Sequence, residues 1–233
     1  MRRLILSIIL ATYTLVLVAQ IKTHGTYNLK YVPVDDPEYL WTQYEEKNEK
    51  VILDKNVLRL ESKQEGKRVL SCAEFFLNTE TEDFIFEYVF KPSEVNNNNF
   101  GVVIDYKNEN NYSLITFNKK GYMYSTCEKG ELSTVKRGMY KLSPRKKTFE
   151  DEEYATELQK ILKDKNVYDV TLIQQQGKLI LLVNDVEIMS MKNIKITSPN
   201  MGFYVGSKMK LDAYCVLYST ISYDDNNEGE YPR

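Results

Sequence analysis

The stretch NYSLITFNKKGYMYST, residues 111–126, decides how this chain folds. Tyr112, Leu114 and Thr116 alternate with Ser113, Ile115 and Phe117, and bulky residues resume after Asn118-Lys119-Lys120-Gly121. A period of two belongs to a strand, whose side chains point to opposite faces in turn. Two such runs around a short polar turn read as a hairpin. Gly121 can take the positive φ that a glycine bulge needs, so the expected closure is a type I turn with Asn118 opposite Tyr122. On that register Tyr112, Leu114, Thr116, Tyr122 and Tyr124 share one face, while Ile115, Phe117, Met123 and Cys127 share the other. The second set reads as core and the first as a half-wet tyrosine surface.

The same period extends outward in both directions. DFIFEYVF, residues 83–90, sets Phe84, Phe86, Tyr88 and Phe90 against Ile85, Glu87 and Val89, and FGVVIDY, residues 100–106, repeats the pattern after the asparagine run 96–99. Further strands are expected over 57–62, 69–77, 168–174, 179–183, 186–191, 201–206 and 213–219. QQQGKLILLVND adds a second hairpin, with turns at 174–178 and at Asn184-Asp185. One segment breaks the pattern: in residues 149–165, Tyr154, Leu158, Ile161 and Leu162 follow a helical spacing, with acids early and lysines late. A short amphipathic helix is expected there, lying across an edge or end of the sheet, after a basic, turn-rich loop over 136–148.

The ends of the chain bound its setting. Arg2 and Arg3 precede an apolar run to Ala19, and Lys22 interrupts it, so residues 1–19 read as a cleaved signal peptide rather than a span of about 20 apolar residues. Residues 20–222 are then expected to form a single exported β-sandwich domain, and 223–233 a polar tail. Loss of Arg2 and Arg3 takes the net charge from −2 to −4, with lysines and acids interspersed, so no basic stripe for nucleic acid exists. Cys72, Cys127 and Cys215 are too few for a disulfide scaffold and each sits in a strand-like run, where a thiol acts as a small apolar side chain; the alternative is one disulfide and one free thiol.

At this point the residues carry a resemblance. EDFIFEYVFK, FGVVIDYKNENNYSLITFNKKGYMYS, YDVTLIQQQGKLILLVNDVEI and NMGFYVGSKMKLDAYCVLY, in that order over residues 83–219, resemble the concanavalin A-like, laminin G-like jelly-roll superfamily. Within it the chain is most similar to exported bacterial domains of the 3-keto-disaccharide hydrolase type, with Val183-Asn184-Asp185 where Val-Asn-Gly is usual and a late Gly202-Phe203-Tyr204-Val205 strand. The resemblance implies an all-β fold, two antiparallel sheets in a jelly-roll sandwich, here with one short helix inserted. It also implies ligand contact on a sheet face or by loops at its rim, and a periplasmic or cell-surface location. The fold hosts lectins, glycanases and protein-binding modules alike.

Chemistry narrows the options. The single histidine, His24, lies beside the expected cleavage point, which removes histidine-based triads and zinc sites. Glycosidases need two carboxylates about 5 to 9 Å apart; the Glu-x-Asp-x-x-Glu pattern of the concanavalin A-like glycanases is absent, leaving Glu87 and Asp105, the two acids within otherwise apolar strands, as the weak catalytic candidates. Oxygen-rich turns at 105–111 and 184–187 lack the ordered spacing of a calcium loop, so no cofactor is expected, with calcium held by those loop oxygens as the alternative. Tyrosine offers a sugar an apolar ring and a hydroxyl, so Tyr112, Tyr122, Tyr124 and Thr116 are the expected glycan-binding residues. The reading is a non-catalytic, carbohydrate-binding sandwich; the alternatives are a hydrolase acting on glycans or disaccharides and an envelope protein-interaction module.

Overall fold

A computed structural model describes residues 29–141 and 167–223. The expected helix at 149–165, the signal segment 1–19, His24 and the tail from 224 onward lie outside the described residues.

The described chain is a sandwich of two antiparallel sheets. Its strands are β1 (Lys30–Pro33), β2 (Tyr44–Glu45), β3 (Glu49–Asp54), β4 (Val57–Ser62), β5 (Val69–Glu74), β6 (Phe84–Pro92), β7 (Phe100–Asn108), β8 (Asn111–Asn118), β9 (Gly121–Glu128), β10 (Glu131–Gly138), β11 (Tyr168–Gln175), β12 (Lys178–Val183), β13 (Val186–Lys192), β14 (Asn200–Val205) and β15 (Met209–Thr220). One sheet has nine strands in the order β13-β12-β11-β6-β15-β4-β3-β2, with β1 also on β15; the other has six, in the order β10-β9-β8-β7-β14-β5. Every strand expected from the apolar alternation is present. β1, β2, β3 and β10 were not legible in that way; β10 alternates little because it is a mostly exposed edge strand, and it extends to Gly138 across the first residues of the expected basic loop.

Packing follows from the period of two. β6 turns Phe84, Phe86, Tyr88 and Phe90 into the gap between the sheets, where Phe86 stacks on Tyr218 at 5.4 Å and meets Phe75 edge-on at 4.8 Å. Tyr88 keeps its hydroxyl satisfied inside the core by donating to Met201 Sδ at 3.3 Å. β15 lies beside β6 in the middle of the nine-stranded sheet and sends Val216 and Tyr218 to the same side.

The hairpin of residues 111–126 closes in a different register from the expected one. Asn118 faces Gly121, so Thr116 pairs with Met123, Ile115 with Tyr124 and Phe117 with Tyr122. Two contacts hold the two-residue turn: Asn118 Oδ1 accepts from Lys120 N at 2.8 Å, and Lys119 N donates to the carbonyl of Asn96 at 2.7 Å. Gly121, at φ +144°, is not in the left-handed turn of a glycine bulge; a Cβ there would lie 2.0 Å from the Gly138 carbonyl of β10. One residue of slip flips every side chain of β9, so Tyr122 and Tyr124 face the core with Ile115 and Phe117.

The cysteines are all free and buried. Cys72 and Cys127 share the six-stranded sheet but stand on β5 and β9, four strand spacings or roughly 19 Å apart; Cys215 belongs to the other sheet. No pair meets disulfide geometry, which removes the alternative of one bridge and one thiol. Burial pushes the Cys72 and Cys215 thiols well above the ordinary range. Titration with a thiol reagent is therefore expected to find negligible reaction in the folded protein and three reactive thiols in denaturant without reductant; a single reactive thiol in denaturant, with two more released by a reductant, would contradict this arrangement.

Candidate ligand-binding site

The outer face of the six-stranded sheet is where the sequence's candidate ligand residues part company. Register puts Tyr112, Leu114 and Thr116 of β8, Met123, Ser125 and Cys127 of β9, Gly101 and Val103 of β7, and Gly202 and Tyr204 of β14 on this side. Of the four expected ligand residues, Tyr112 and Thr116 are here. Tyr122 (8% exposed) and Tyr124 (4% exposed) belong to the core instead. Tyr122 lays its ring over Gly138, where an added Cβ would lie 2.4 Å from it, and the Tyr124 hydroxyl bonds Ser113 between the sheets. Burial raises both hydroxyl pKa values. Tyr124 is turned away from the outer face, because a strand cannot present one side chain to both faces, whereas the Tyr122 ring, lying over Gly138 at the strand end, also lines a cleft at the turn.

The outer tyrosines form the backing of the face. Tyr112 stacks with Tyr106 at 6.2 Å, and its hydroxyl lies against the Arg68 guanidinium and the Cys127 thiol. Tyr204 is buried in the same cluster as Tyr112, Leu114, Val103 and Cys72, and burial pushes its hydroxyl up to about 12.

At the turn end of this face, the sheet opens into a cleft of about 640 Å³ whose lining includes Thr116, Lys120, Tyr122, Met123, Arg137 and Met139. Three strands build it: β8 contributes Thr116 and Asn118, β9 Met123, and β10 Arg137, which pairs with Met123. Next to Thr116 on the same row are Gly101 and then Tyr204. Thr116 is 3% exposed, yet its Oγ1 has no hydrogen-bond partner. A buried hydroxyl left unpaired is unfavourable by about 1–3 kcal/mol, and native structures keep few of them. Met139 projects into solvent at 96% exposure, and Met123, whose Sδ accepts from Thr134 Oγ1 at 3.3 Å, is only half-buried. Flexible thioethers of this kind make an adaptable apolar rim.

The expected carboxylates do not meet. Glu87 lies on β6 in the nine-stranded sheet, opposite Thr171 and Leu217 and turned away from the gap between the sheets; Asp105 lies on β7 of the six-stranded sheet. The sheets of a sandwich are roughly 10 Å apart, so these two acids do not form a glycosidase pair, and they share no surface. Asp105 has a structural task. At φ +52°, within the irregularity that separates Ile104 from Asn108, its Oδ1 accepts from Thr197 N (2.8 Å), Thr197 Oγ1 (3.0 Å) and Ser198 N (2.8 Å). It thereby ties the segment leading into β14 to β7. The oxygen-rich turns noted for calcium are likewise engaged locally: Asn108 Oδ1 accepts from Asn110 N and Asn111 Nδ2, and Asn184 Oδ1 from Asp169 N. Among the described residues no group of three acidic, histidine or cysteine side chains converges on one point.

Sequence reasoning missed Arg137, Lys120, Met123, Met139, Arg68 and Tyr204. The available signal was charge: no acid occurs from residue 110 to 127 or from 132 to 141, while Lys119, Lys120, Lys136, Arg137 and Lys141 all do. That signal reads as a solvated loop until β10 is known to be a strand.

No protein-family model matches this chain, and no curated protein matches it. Solved structures do. A Bacillus subtilis protein of unknown function with a galectin-like fold aligns over 87% of this chain and 99% of its own, at 10% identity and a TM-score of 0.52. The legume lectin-like domain from Entamoeba histolytica aligns over 81% of this chain and 95% of its own, at 14% identity and a TM-score of 0.50. The likeness shows the fold alone, an all-β jelly-roll sandwich of two antiparallel sheets.

Replacing Asp105 with alanine removes the acceptor of three hydrogen bonds and leaves a non-glycine, non-Asx residue at positive φ. Urea unfolding is expected to show a loss of about 2–3 kcal/mol for Asp105→Ala and a much smaller loss for Asp105→Asn, which keeps an oxygen and tolerates that conformation. Equal losses in the two variants would remove the tethering role.

Proposed function

We propose that this chain is an exported, non-catalytic carbohydrate-binding β-sandwich, and that saccharide is held on the outer face of the six-stranded sheet, in the cleft around Thr116. The observation that carries the reading is the unpartnered Thr116 hydroxyl in the lining of that cleft. A saccharide brings both donors and acceptors and can satisfy a group that the protein alone leaves unsatisfied. The apolar rim of Met123 and Met139 suits the C–H face of a sugar ring. The lectin-like sandwich is a fold on which this use is familiar, and the kinship with exported domains of the 3-keto-disaccharide hydrolase type rests on the strand motifs alone. Hydrolysis lacks its carboxylate pair in Glu87 and Asp105. No observation favours a protein-interaction module over a saccharide-binding one.

Affinity electrophoresis of the purified protein through gels containing single polysaccharides tests this reading. Retardation in at least one gel, without released sugars, is expected. Thr116→Val is expected to weaken that retardation several-fold while leaving the unfolding midpoint unchanged or higher, because it deletes an unsatisfied hydroxyl. Released sugars, or unaltered retardation of the variant, would overturn the assignment. Export is tested separately: N-terminal sequencing of protein recovered from the periplasm or medium is expected to begin at Gln20, whereas a chain retained in the cytoplasm and starting at Met1 would refute it.

A further inference from the structure

We propose that the ligand of this cleft is an anionic saccharide, one whose carboxylate or sulfate group is received by Arg137 and Lys120 while its neutral ring hydroxyls meet Thr116. The inference rests on the carbohydrate reading above and narrows it.

Three features carry it. First, the lining contains two cations and no acid: Lys120 at the β8–β9 turn and Arg137 at the end of β10 flank Thr116 and Met123. Second, neither cation has an ion-pair partner among the described residues. Salt bridges occur elsewhere on the described surface, with Lys50, Lys67, Lys208, Lys210 and Arg59 each beside a carboxylate, but none involves Arg137 or Lys120. Third, the two ends of the β9–β10 hairpin differ in charge. Its turn carries Glu128 and Glu131 around Lys129, and its open end has Lys136 and Arg137 beside Lys119 and Lys120 of the neighbouring turn. Lys136 is engaged, donating to the Ser190 carbonyl of β13 at 2.9 Å across the two sheet edges, and this bond also braces the strand that carries Arg137.

A neutral sugar hydroxyl would accept only an ordinary hydrogen bond from the guanidinium beside the cleft. A carboxylate or sulfate would gain a charge-assisted hydrogen bond, bidentate for a planar carboxylate. A simple polyanion attraction would instead depend on net charge and be indifferent to Thr116. The cleft combines both elements, a fixed hydroxyl on the sheet and two cations at its rim, and that combination distinguishes an anionic saccharide from an anion alone.

The test measures retention of the purified protein by polygalacturonate (carboxylate), dextran sulfate (sulfate), neutral dextran and hydroxyethylcellulose, and double-stranded DNA, at about 0.15 M salt, where exposed long-range attraction is largely screened. The expected result is tighter binding to one of the two anionic polysaccharides than to any neutral one, and the arm that binds tells carboxylate from sulfate. Arg137→Gln is expected to weaken that binding by about tenfold, Lys120→Gln by less, and Lys63→Gln, on the other sheet's side, not at all. Thr116→Val is expected to weaken it as well. Equal binding to neutral and anionic polysaccharides, or no effect of Arg137→Gln, would overturn the anionic assignment and leave the carbohydrate reading standing. Equal binding to DNA, with Thr116→Val neutral, would reduce the cleft to general polyanion attraction and overturn it. Binding to none of the polysaccharides would overturn both readings together.

Discussion

The packing of one aromatic file against the opposing sheet is the interaction on which the rest of this molecule depends. Phe84, Phe86, Tyr88 and Phe90 of β6 fill the gap between the sheets, flanked by Tyr218 of β15 and capped by Phe75 and Phe203. Full burial of side chains of this size contributes roughly 1.5–3 kcal/mol each, and their edge-to-face and stacked contacts add to it. Because side chains alternate along a strand, committing one face of each strand to this gap also commits the other face to the outside. The outer face of the six-stranded sheet is thus a consequence of the core, with no freedom to include a residue the core has taken.

That constraint governs the candidate site at its most sensitive point, the turn at Lys119 and Lys120. The backbone of Lys119 is held by the Asn96 carbonyl and the turn is braced by Asn118, whose Nδ2 also donates to Asn99 Oδ1 at 2.8 Å. The asparagine run before β7 therefore sets the register of the neighbouring hairpin. With that register, Met123 and Arg137 come out beside Thr116, and Tyr122 and Tyr124 go in. With the register one residue longer, two tyrosines would cover the place where the cleft is found.

Asp105 is a second case in which a polar residue within an apolar strand serves geometry. Its carboxylate gathers three donors from Thr197 and Ser198, more than 90 positions away in sequence, and orders the approach to β14. An acid inside a strand pattern is an equally good sign of a catalytic group and of a tether, since both need a carboxylate held by neighbours. Thr116 presents the converse. It is unremarkable in sequence, a β-branched residue in a strand, and only the missing partner of its hydroxyl marks it.

The sequence by itself determined the β character, the identity of the central strands and the inward face of β6, because a period of two and a preference for β-branched and aromatic residues are local properties that survive without knowledge of neighbours. It also announced the place of the hairpin turn. Only the tertiary structure decided the pairing across that turn, the edge strand β10, the separation of Glu87 from Asp105 onto different sheets, and the meeting of Thr116, Met123 and Arg137 in one cleft. The physical reason is that alternation states that two faces exist, whereas which face is inside is set by hydrogen bonds and close approaches from distant segments, here the Asn96 carbonyl and the passage of Gly138 against Gly121.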